Sequence, residues 1–113
     1  MKLLNVDNGE TIAENVNQAR KFVERLKGLM FTKQFPPGEA LLIKPCRSIH
    51  TFFMNYSIDV LYLDSNNRVG AVAEHLRPGK LAKGSKETLA VVELPPGTIS
   101  ATETKVGQTV QFI

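Results

Sequence analysis

The run IDVLYLD at residues 58–64 is apolar on both faces apart from Asp59, and a strand that buries both faces belongs in the middle of a sheet. Ser65-Asn66-Asn67 after it reads as a hairpin turn that sends residues 68–76 back as an antiparallel partner. Outward from this pair, TLAVVEL at 88–94 is another strand, stopped by Pro95-Pro96-Gly97. ALLIK at 40–44 follows the turn signal Pro36-Pro37-Gly38 and reads as a buried strand. Near the ends, residues 2–6 form a short strand closed by Asp7-Asn8-Gly9, and residues 109–113 form the last one. Residues 11–16 add a further strand with Ile12, Glu14 and Val16 on one face, 80–87 read as the longest loop, and 98–103 as one or two helical turns.

One segment carries a helical period. Ala19, Phe22, Val23 and Leu26 fall at i, i+3, i+4 and i+7, with Asn17 as N-cap and Gly28 as the stop, which predicts a helix over 18–27. Burying Phe22, Val23 and Leu26 contributes roughly 1.5–3 kcal/mol each as an upper bound, so docking holds this helix rather than its own propensity. About seven strands joined by tight turns, without regular strand-helix alternation, give the expected class: α+β, a small β-rich domain whose mostly antiparallel sheet curls or closes into a barrel, with one docked helix.

At 113 residues the chain is expected to form a single domain that folds without disulfides or a structural metal. Its 42% hydrophobic and 22% charged residues are ordinary for a globular protein. The net charge of +3 is spread along the chain, and the densest basic group, residues 77–86, is interrupted by Pro78, Gly79 and Gly84. That group reads as a solvated loop; without interleaved aromatics it does not predict nucleic-acid binding, although it leaves room for a small anionic ligand. A single cysteine excludes an internal disulfide, and the opening MKLLNVDNGET is neither a signal peptide nor a membrane span. The expectation is a cytoplasmic protein with no membrane partner.

Chemistry concentrates in PCRSIHTFFMNYSID, residues 45–59, which holds the only cysteine, one of the two histidines and Asp59. If residues 46–54 are extended, Cys46, Ser48, His50, Phe52 and Met54 share one face and line a groove. Cys46, His50 and Asp59 are the residue types of a thiolate nucleophile, its base and an orienting carboxylate. On a straight strand, however, the Cβ atoms of Cys46 and His50 stand about 13 Å apart, so only a turn at 46–48 would join them. The plain alternative for Cys46 is a small hydrophobe. Cys46, His50, His75 and Asp59 lack any metal-ligand spacing, so neither metal nor cofactor is expected. Asp59 is costly to bury alone and needs a partner among His50, Arg47, Arg25 and backbone amides, with His50 the nearest titratable donor in sequence.

The order of motifs carries a resemblance. RLKGLMF at 25–31, GEALLI at 38–43, SIHTFFM at 48–54 followed by Ile58-Asp59-Val60, and VELPPG at 92–97 together resemble the domain-of-unknown-function 192 family over nearly the whole chain. The resemblance implies a compact, mixed, β-rich fold and no assigned activity; its characteristic segment maps onto residues 48–54 and Asp59. Family members often carry an export or lipoprotein signal, a pattern from which this chain departs. The functional expectation is therefore a small soluble domain binding a small molecule through Cys46, Ser48, His50, Thr51, Met54 and Asp59. A thiol- or His/Asp-dependent enzyme using the same groove, and an interaction module docking a partner at a sheet edge, stand as alternatives.

Overall fold

A computed structural model describes residues 1–19, 35–52 and 54–113. The chain runs through β1 (Leu3–Asn5), β2 (Thr11–Ala13), β3 (Asn15–Ala19), β4 (Glu39–Ile43), β5 (Ser48–His50), β6 (Ile58–Leu63), β7 (Val69–Leu76), β8 (Leu81–Lys83), β9 (Ala90–Leu94), the short helix α1 (Thr98–Ala101) and β10 (Val110–Phe112). The main sheet has the order β3-β4-β9-β6-β7; β10-β1-β2 form a second sheet and β5-β8 a two-stranded third. Among the described residues only the β3-β4 pairing is parallel, and the sheets do not close into a barrel. The fold is α+β and β-rich, with more and shorter strands than expected.

The IDVLYLD run does what its composition requires. All six residues of β6 are buried, because β9 and β7 occupy its two edges and core side chains cover its two faces. Leu61 and Leu63 join Ala40, Leu42, Val92 and Leu94 on one face, against Leu3, Ile12 and Val110 of the second sheet and Ile99 of α1. Val60 and Tyr62 join Leu41, Ile43 and Val91 on the other, against Ile49, Met54 and Phe35. The period of two along three adjacent strands sorts the side chains into two cores, one on each side of the sheet.

Three sequence expectations change. Residues 11–16 are not one strand: the chain leaves the second sheet at Glu14 and enters the main one at Asn15, the amides of both residues donating to the Gly38 carbonyl at 2.9 and 3.0 Å. Glu14 is exposed and pairs at 3.5 Å with Lys2, so the supposed third member of a buried face marks the crossing point instead. Next, Asn17 caps no helix. Asn17, Gln18 and Ala19 belong to β3, in parallel register with Leu41, Leu42 and Ile43, and the backbone groups that a cap would have satisfied are spent on that ladder. The rest of the predicted helix, Phe22 included, lies outside the described residues. Finally, the loop at 80–87 contains β8, which pairs antiparallel with β5. Three-residue strands leave too little periodicity to be read without their partner.

Candidate functional site

Asp59 has 0% exposure and faces the first core, because its β6 neighbours Ile58 and Val60 face the second. Ile58 pairs with Leu76 and Val60 with Ala73, so Glu74 and His75 of β7 together oppose the single residue Asp59 in a β-bulge. His75 takes φ +50° there, and its amide donates to Asp59 Oδ1 at 2.9 Å. The Ile99 amide, in the first turn of α1, donates to Oδ2 at 2.9 Å. Gly97, at the N-cap position of α1, has no side chain to serve that turn, and Asp59 serves it from the sheet. Of the partners anticipated for this carboxylate, backbone amides are the ones it uses. The expected pairing with His50 is not formed, since both carboxylate oxygens are engaged and the main sheet stands between Asp59 and β5, whose Ile49 packs in the second core.

The PCRSIHTFFM segment covers that second core but is extended only over β5. Ile49 points inward with Ala82 of β8. Ser48 and His50 therefore point outward, opposite Lys83 and Leu81 respectively. Beyond His50 the chain turns, the Met54 amide donating to the Thr51 carbonyl at 3.2 Å. Thr51 is buried and acts as a clamp: its Oγ1 donates to the Arg77 carbonyl at 2.6 Å and accepts the Lys80 amide at 2.9 Å. Met54 is a core residue. Cys46 is half-buried against the same core, its thiol donating to the Ser48 carbonyl at 3.1 Å.

The anticipated groove thus divides. Ser48 and His50 share an outer face, Cys46 and Met54 lie beneath it, Thr51 fastens the 77–80 turn, and Asp59 is across the sheet. The outer face has a feature of its own: the ring of Phe52, 43% exposed, stacks on that of His50 with centroids 5.0 Å apart and planes 22° from parallel. Leu81, directly opposite His50, is 71% exposed. Together they form an aromatic and aliphatic platform on an otherwise polar ribbon.

Glu93 and Tyr62 are two further polar side chains of the second core. Glu93, with 0% exposure, projects into the second core from β9 beside Leu41 and Val60. It carried the same signal as Asp59, a carboxylate within an apolar strand. Burial pushes the Tyr62 phenol above its ordinary 10.0, and the neighbouring Cys46 and Glu93 add to the rise. The folded chain therefore holds this proton more tightly than the unfolded chain, and the stability this contributes is present below about pH 10 and lost as pH rises through the folded value. Urea midpoints measured from neutrality upward should fall beyond pH 10, and fall less in Tyr62→Phe. Gly84 packs against this ring and Thr88: a Cβ there would collide with Thr88 Oγ1 and stand 2.9 Å from Tyr62 Cδ1 and 3.0 Å from Thr88 Cβ. Gly84→Ala should consequently cost about 1–3 kcal/mol by denaturant titration.

Among the described residues no three His, Cys, Asp or Glu side chains converge as a metal site would require, and no helix is long and apolar enough to cross a membrane.

Known proteins share this architecture. A crystal structure of a protein of unknown function from Novosphingobium aromaticivorans superposes with TM-score 0.81 at 20% identity, covering 98% of this chain and 82% of the other. That of a putative transcription regulator from Sinorhizobium meliloti gives 0.79 at 21% identity, covering 97% and 89%. At such identities the likeness establishes the fold alone. In sequence, the chain is 32% identical over 115 residues to a UPF0127 protein of Pyrococcus furiosus, covering 97% of each chain. It is 36% identical over 104 residues to one of Pyrococcus abyssi, covering 87% and 86%. The family model DUF192, described as an uncharacterised group, matches residues 4–112, and the chain belongs to that family.

Proposed function

We propose that this protein binds a small molecule on the outer face of the β5-β8 ribbon. The observation that carries the reading is the stack of exposed Phe52 on half-buried His50 beside Leu81, which keeps aromatic and aliphatic surface in water on a ribbon whose inner Ile49 is already buried. A planar or apolar ligand group laid on that platform removes its surface from water, while Ser48 and Lys83 at the other end offer polar contacts. Binding is favoured over catalysis, because Asp59 is committed to the amides of His75 and Ile99 and does not serve an imidazole or a thiol.

A thermal-shift screen of the purified protein against a metabolite library tests this, since a ligand selective for the folded state raises the melting temperature. The expected result is at least one compound whose shift is lost in Phe52→Ala and in Leu81→Ser. Both substitutions alter exposed side chains and should leave the fold intact. A library without such a compound, or shifts that survive both substitutions, would count against the binding face.

A further inference from the structure

The pairing of β5 with β8 joins two segments that are far apart in sequence and alike in charge. Residues 40–58 and 75–86 contain six of the 14 basic residues, namely Lys44, Arg47, Arg77, Lys80, Lys83 and Lys86, and none of the 11 acidic ones. The rest of the chain, with eight basic and 11 acidic residues, is net −3. A modest overall charge thus conceals a segregated one, and the fold brings four of the six, Arg47, Arg77, Lys80 and Lys83, onto the β5-β8 ribbon or the turn fastened beside it. Lys83 lies across from Ser48, the Gly84 amide donates to the Arg47 carbonyl at 2.7 Å, and the Thr51 clamp fastens the 77–80 turn beside Phe52. All six basic residues are exposed, and none of them forms an ion pair among the described residues.

From this we infer that the ligand of the β5-β8 face is a nucleoside phosphate, its base stacked on the His50-Phe52 platform and its phosphate held by Lys83 and the Ser48 hydroxyl. The inference rests on the binding face proposed above and specifies what it takes. Platform and cationic end are two residues apart along the strand, about 7 Å, a separation that one pentose spans. A phosphate gains charge-assisted hydrogen bonds that a neutral ligand would lack, and Lys83, which forms no ion pair among the described residues, need not break one to make them. The ribbon is short and, among the described residues, presents one stack, which suits a single base better than a strand of successive ones.

The test follows backbone amide chemical shifts as AMP, GMP, CMP and UMP are titrated into the intact protein. At least one should bind saturably, with shifts confined to residues 48–52 and 80–83. Its parent nucleoside and inorganic phosphate should each bind about tenfold or more weakly, because each keeps half of the contacts. Phe52→Ala and Lys83→Glu should each weaken binding about tenfold, and Lys83→Glu should also flatten its salt dependence. Absence of saturable shifts on this face, or affinity unchanged in both variants, overturns the inference. So does a ten-nucleotide oligoadenylate that binds far more tightly than AMP, since the occupant would then be a strand. A screened metabolite that requires Phe52 but is indifferent to salt and to Lys83→Glu also overturns it, and in that case the binding face itself stands.

Discussion

Asp59→Ala should destabilise the folded chain by about 3–5 kcal/mol, a large share of the stability of a chain this size. The carboxylate has 0% exposure, and each of its oxygens accepts one backbone amide at 2.9 Å. Truncation leaves the amides of His75 and Ile99 without their acceptor, and an unsatisfied buried donor costs more than a typical hydrogen bond contributes. The loss also reaches the backbone conformation. His75 at φ +50° sits in a region that side chains other than glycine seldom adopt, and Asp59 is what holds its amide there. Asp59→Asn keeps one acceptor but turns an NH2 toward the other amide, so it should fall between wild type and Asp59→Ala. Urea titration reads all three. If Asp59→Ala unfolds at the wild-type midpoint with an unchanged slope, the clamp between β7 and α1 is not what stabilises the bulge.

Leu61→Ala should cost about as much, roughly 3–5 kcal/mol, by a different route. Leu61 is fully buried at the centre of β6, with Val92 and Val72 as cross-strand partners, and its side chain packs in the core between the main sheet and the second sheet. Removing it forfeits transfer energy and leaves a cavity walled by strands that cannot collapse without breaking ladder hydrogen bonds. The control is Leu81→Ala, the same chemical change at 71% exposure, which should shift stability by less than about 0.5 kcal/mol. Equal effects at the two positions would contradict the sidedness of both β6 and β8.

Much of the main sheet was legible in the sequence. β6, β7, β9 and β4 are apolar runs bounded by Pro, Gly and Asn signals, and each follows its run to within about two residues. Asp59 was legible as a residue needing a partner, though not as to which. Its partners come from 16 and 40 residues away in sequence, and both are backbone amides, which leave no mark in residue identity. Glu93 carried the same mark as Asp59 and could have been found by the same rule.

What the chain determines by itself is local: which segments are extended, where they turn, and which carboxylates must be satisfied when buried, because periodicity and burial cost are properties of consecutive residues. Tertiary structure alone decided the rest. It spent Asn17 on a parallel ladder instead of a helix cap, since an adjacent strand supplies more hydrogen-bond partners than one side chain. It set Asp59 on the face opposite His50, because a period of two gives neighbouring strand residues to different cores. And by pairing β5 with β8 it brought two acid-free segments together on the ribbon that carries Phe52, a gathering of charge that no linear reading contains because charge adds through space and not along the chain.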